Sequence, residues 1–134
     1  MTSSTARSPF GRRYVPPREV CAALGKVFDE SVAEVRVIEH SAYARAHFGM
    51  SATTRLNRIL LAISGAAFIA EPEMVLHEYF HVLRQWSTGN LTRSRYLIES
   101  MRRGYWENRF EREARDFAAD ALARYREYLK PSAA

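Results

Sequence analysis

Apolar residues along this chain recur mostly at helical intervals, interrupted by two stretches with a different rhythm. From Arg18 to Glu30, Val20, Leu24, Val27 and Phe28 return at steps of three and four residues. They predict an amphipathic helix, weakened by Gly25. Ala33–Glu39 alternates around Val35 and Val37 and predicts a strand. Ser41–Met50 fits either a short helix or a loop. Within Arg55–Ala70 the apolar run from Ile59 is too short to span a bilayer, and periodicity does not separate a strand from a buried helix. We read it as a strand over Leu56–Ile63, a turn at Ser64–Gly65 and a short extended piece through Ile69.

Helical spacing returns at Pro72, suited to a first helical turn, and runs to about Trp86 before a glycine-containing loop at Ser87–Asn90. Thr92 is placed to cap a helix through Arg103, with Leu97, Ile98 and Met101 as its core side, and Gly104 breaks it. The longest pattern is Glu107–Leu129, closed by Pro131. There Phe110, Ala114, Phe117, Ala118, Ala121, Leu122 and Tyr125 form one stripe. The sum is an α+β fold, mostly helical, with a small sheet or hairpin preceding the Pro72–Trp86 helix.

Residues 1–16 are polar and rich in Ser, Thr and Arg. They read as a disordered or lightly docked arm before a single domain over residues 17–130. A single cysteine, Cys21, excludes an intramolecular disulfide framework and a Cys-rich zinc ribbon. Its apolar neighbours suit a small buried side chain. The net charge of +5 sits partly in the first twenty residues, where Arg7, Arg12, Arg13 and Arg18 face only Glu19. In the last helix, arginines alternate with acids, as on an ion-paired solvated face. No basic stripe with aromatics appears, so we expect no nucleic-acid partner. No apolar segment follows the charged start. We therefore expect no signal peptide, no membrane partner and a cytoplasmic protein, with export by a dedicated secretion system left open.

Chemistry enters at His77, Glu78 and His81, which read HEYFH. Residues four apart share a helix side, so two imidazoles can address one metal ion, with Glu78 beside them to take a proton from a water held there. That is the HExxH arrangement of zinc peptidases. At 100° per residue, with His77 at zero, Val75, Leu76, Tyr79, Phe80, Val82, Leu83 and Trp86 centre near ~210°. His77, Glu78, His81, Arg84 and Gln85 lie opposite. Catalytic zinc sites use a third protein ligand. In the last helix the stripe centres near ~45° from Phe110, and Glu111 falls near ~100°, inside the apolar sector. A carboxylate there is costly unless paired or coordinating, so Glu111 is the expected third ligand. A salt bridge to Arg115 is the ordinary alternative. Glu107 also points inward and is the main rival, while Glu113 lies on the flank and Asp116 and Asp120 point away.

HEYFHVLRQ followed by EREARDFAA resembles a gluzincin-type metallopeptidase, in which a downstream Glu in an E-x-x-A helix completes HExxH. The segments VRVIEHSAYARAHFG, RLNRILLAI and VLHEYFHVLRQ are similar to the bacterial metallopeptidase domain associated with extracellular contractile injection systems. The likeness covers about Val35 to Leu122. It implies a minimal zincin-like domain with Zn2+ on His77, His81 and Glu111, and Glu78 as general base. It also implies an edge strand beside the motif helix that takes an extended peptide or protein substrate. Related families often carry Asp or Asn after the Ala of E-x-x-A, where this chain has Arg115. If that residue orients a ligand histidine, the chain needs another partner for it. Peptidases of this type add a Tyr, His or Arg against the oxyanion. Tyr105, Tyr96, Arg109 and His47 are the candidates, although Tyr105 and Trp106 equally suit a core junction between helices.

The sequence thus predicts a zinc-dependent metallopeptidase. The alternatives are a zinc-binding interaction or regulatory module with little or no turnover, and an arginine-rich binding protein in which HEYFH is accidental.

Overall fold

A computed structural model describes residues 11–45 and 52–131. The alternating stretches form one mixed sheet of β1 (Arg12–Tyr14), β2 (Arg36–Glu39), β3 (Ala52–Arg55) and β4 (Arg58–Leu61), in the order β1-β2-β4-β3. The two central strands, β2 and β4, run parallel with Val37 beside Ile59. Each is flanked by an antiparallel edge: β1, with Tyr14 opposite Val37, and β3, with Thr54 opposite Ile59. Around the sheet lie α1 (Arg18–Phe28), α2 (Ala42–Arg45), α3 (Gly65–Ile69), α4 (Pro72–Phe80), α5 (Arg93–Glu107) and α6 (Arg109–Leu129). This is the mostly helical α+β architecture read from the sequence, with the sheet preceding the HExxH helix.

One core unites these layers. Val20, Leu24, Val27 and Phe28 of α1 meet Val37, Ile59 and Leu61 of the sheet, Val75, Leu76 and Tyr79 of α4, and Ala118, Ala121 and Tyr125 of α6. Phe117 stacks on both Phe28 and Phe80, with ring centroids 5.1 and 4.8 Å away, and so ties α1, α4 and α6 together. The helix expected over Arg18–Glu30 ends at Phe28, where Asp29 turns left-handed (φ 54°) and returns its N–H to the Gly25 carbonyl.

Two expectations in the middle of the chain need correction. The strand placed over Leu56–Ile63 is a hairpin instead. Its turn falls at Leu56–Asn57, where asparagine tolerates φ of 58°, and the first arm is Ala52–Arg55. Gly65–Ile69, expected as a turn and an extended piece, is the helix α3. The Ser64 hydroxyl accepts the Ala67 N–H at 3.1 Å, a cap that outweighs the strand-like look of the segment. Gly65 is needed where it stands: a Cβ there would come within 2.1–2.4 Å of the Tyr14 ring. Its N–H donates to Glu39 Oε2 at 2.7 Å, while Arg12 grips the other carboxylate oxygen. Residues 1–10 of the expected N-terminal arm lie outside the described residues, and Arg12–Tyr14 form β1.

A third correction concerns α5. Leu97, Ile98 and Met101, expected in the core, are 60%, 56% and 79% exposed, and no residue of the helix is buried. Apolar spacing marks a stripe but does not say what the stripe faces. Tyr105 and Trp106, expected at a helix junction, are exposed as well. The break at Gly104 is as expected, with φ 75° and ψ 171°. No helix among the described residues is long and apolar enough to cross a membrane.

Candidate metal centre

Pro72 occupies the first turn of α4, as its fixed φ and missing N–H favour. The apolar arc lies inward: Val75, Leu76, Tyr79 and Val82 are at most 1% exposed. At His81 the winding loosens into a π-helical stretch, His81–Trp86, ending with the Ser87 N–H on the Val82 carbonyl five residues back. The opposite side carries His77, Glu78, His81 and Gln85, and α6 closes over it. Small side chains let the two helices approach: Ala114, Ala118 and Ala121 of α6 are at most 1% exposed, and the α4–α6 contact is the most extensive in the molecule. The first turn of α6 is thereby carried up to the histidines.

There Glu111 meets them. Its Oε1 lies 2.7 Å from His81 Nε2 and its Oε2 lies 3.4 Å from His77 Nε2, while the two Nε2 atoms are 3.1 Å apart. These three residues form a cluster that could hold a metal ion. Ligands roughly 2.1 Å from a tetrahedral ion stand about 3.4 Å from one another, so the spacings match a single central cation with a small outward adjustment. The chemistry fits too: two imidazoles and one carboxylate is a donor set for a divalent transition metal. Glu111 is the expected residue, and its rival fails on geometry, because Glu107 is exposed at the end of α5. The ordinary alternative also fails. Arg115 turns from Glu111 to lie over the Trp106 ring at 3.9 Å and to donate to the Trp106 carbonyl at 2.5 Å.

The electrostatics follow from burial and charge. Burial disfavours ionised Glu111, but hydrogen bonds from His77 and His81 outweigh it and hold the carboxyl well below the ordinary range. Burial likewise disfavours charged His81, and the Glu111 hydrogen bond and charge reverse this and raise it. Glu78 is 9% exposed. Burial raises its pKa, opposed by the two histidines.

Gln85 holds His81 from one helical turn along. Its Oε1 lies 2.6 Å from His81 Nδ1, and its amide donates to the Phe110 carbonyl at 2.9 Å and to Glu113 Oε2 at 3.3 Å. Accepting the Nδ1 proton leaves Nε2 facing the cluster. Sequence reasoning placed Gln85 on the histidine side without a role, although its four-residue spacing from His81 was the available signal. Asn108 was missed altogether. It is fully buried, accepts the Phe110 N–H at 2.9 Å and donates to Ser100 Oγ at 2.9 Å, so it caps α6 and clasps it to α5.

A cleft of about 840 Å3 opens beside Glu78, His81 and Glu111. Its walls are β3 on one side and α5 on the other. Tyr96 and Tyr105 line it together with Glu111. Burial raises both phenols, with the Glu111 charge adding to it, so both remain protonated donors at neutral pH. Arg109 points elsewhere, over the Phe110 ring, and His47 lies outside the described residues. Nothing matches this chain in comparisons with family models, curated proteins or solved structures.

Proposed function

We propose that the chain is a zinc-dependent metallopeptidase of the gluzincin type, acting on a peptide or protein substrate. One observation carries this reading: His77, His81 and Glu111 converge from two helices while buried Glu78 stands beside them at the base of an open cleft. Zinc bound there supplies a Lewis acid that polarises a carbonyl and lowers the pKa of water. His77, His81 and Glu111 would hold it, with Gln85 fixing the His81 tautomer.

Glu78 takes the proton of the attacking water and delivers it to the leaving amine. Its burial favours the protonated form needed for the second step. Tyr105 and Tyr96 are the donors for the developing oxyanion, since both phenols keep their protons and both residues line the cleft beside Glu111. The edge strand β3 borders the cleft and offers backbone groups to an extended substrate.

The test is cleavage of a proteome-derived peptide mixture by zinc-loaded protein and by Glu78→Gln. The expected result is cleavage by the wild type only, with equal zinc in both. Retained cleavage in Glu78→Gln removes Glu78 from its role. Absence of cleavage by zinc-loaded wild type supports a binding or regulatory module instead.

A further inference from the structure

The exposed apolar stripe of α5 has no counterpart in the core, yet one end of it enters the cleft. Leu97 lines the cleft, together with Met74, Trp86, Leu91 and Tyr96. Apart from His81, Glu111 and Glu78, the two threonines, Ser100, Arg55 and Arg93, the lining is hydrocarbon and aromatic ring.

The opposite wall fixes how a chain can lie. The two-residue turn makes Arg55 and Arg58 a hydrogen-bonded pair. Alternation then directs the Thr54 N–H and C=O away from β4, to the open edge. The Arg55 guanidinium donates to that carbonyl at 2.7 Å, as expected if the carbonyl faces outward. A segment pairing with this edge has successive side chains on opposite faces. Every second one falls on the face of Ala52 and Thr54, whose side chains are buried; the Thr54 hydroxyl accepts the Trp86 indole N–H at 3.0 Å. Those alternate side chains meet the apolar wall.

Building on the peptidase reading, we propose that the cleft selects extended polypeptide segments bearing a large apolar side chain next to the scissile bond, and that Leu97 is a specificity-determining residue. An apolar side chain gains by leaving water against Met74, Trp86 and Leu97. A small polar one has little hydrocarbon to bury there.

The experiment compares two short peptides identical except for a central Phe-Leu or Ser-Ser pair. Binding to zinc-loaded Glu78→Gln is measured, and again with Leu97→Glu added. Leu97 is mostly exposed, so its replacement spares the fold. The expected result is binding of the apolar peptide on the order of tenfold tighter, with the preference lost in the Leu97→Glu protein. Equal binding, preference for the polar peptide, binding of neither, or a preference unaffected by Leu97→Glu each overturns the proposal. Hydrolysis by wild type is read separately. A bound apolar peptide that zinc-loaded wild type leaves intact sinks the peptidase reading while the selectivity stands.

Discussion

Gln85 Oε1 sits 2.6 Å from His81 Nδ1, one helical turn along from the histidine it holds. The contact decides which imidazole nitrogen faces Glu111 and His77. Gln85→Leu keeps most of the volume and removes the acceptor. We expect zinc affinity to fall 10–100-fold, as for other losses of ligand-orienting groups. Gln85→Glu, which still accepts from Nδ1, should lose less. Chelator competition measures both, and unchanged affinity in Gln85→Leu would show that His81 is oriented by other means.

Asn108 supports the other ligand. Replacing it with Ala removes the α6 cap beside Glu111 and leaves Ser100 without its donor. The expected destabilisation is at least about 1 kcal/mol from the cap alone, and more from the buried amide. Asn108→Asp keeps the acceptor and should recover the cap portion. Urea unfolding distinguishes them; equal stability of all three proteins would contradict the clasp.

Glu39 predicts an acid limb. The Gly65 N–H lowers its pKa most, burial opposes, and Arg12 lowers it further. A carboxyl depressed in the folded state contributes stability that is complete above its unfolded value of about 4.3. The contribution is lost as pH falls through the depressed folded value. The stability difference between wild type and Glu39→Gln should therefore be constant at neutral pH and shrink below about pH 5. A difference independent of pH would mean that the variant acts by packing alone.

Gly65 and Tyr14 make a steric prediction. A methyl at position 65 would overlap the Tyr14 ring, so Gly65→Ala should destabilise on the order of 1–3 kcal/mol. Combined with Tyr14→Ala, it should cost less than the sum of the single changes. Strict additivity in thermal unfolding would contradict the close approach.

The candidate site was legible because its signals are local to helices. Four-residue spacing placed His77 and His81 together, and a carboxylate inside the α6 stripe identified Glu111 against Glu107. Less was legible where the decisive partner is distant in sequence. The hairpin turn rests on a single left-handed asparagine, Asn57, just before the apolar run. The α3 helix rests on the Ser64 cap, which a Ser-Gly pair disguises as a turn. The stripe of α5 had core spacing but lines a cleft, a distinction held in the tertiary arrangement. Asn108 gave no signal, because its partners Ser100 and Tyr96 lie across the Gly104 break.

The most direct test is the zinc content of purified wild type, Glu111→Ala and Glu113→Ala after identical metal supply and dialysis. The account predicts equimolar zinc in wild type, near-wild-type content in Glu113→Ala and a large loss in Glu111→Ala. A folded wild type without zinc, or Glu111→Ala retaining it while Glu113→Ala does not, would contradict it.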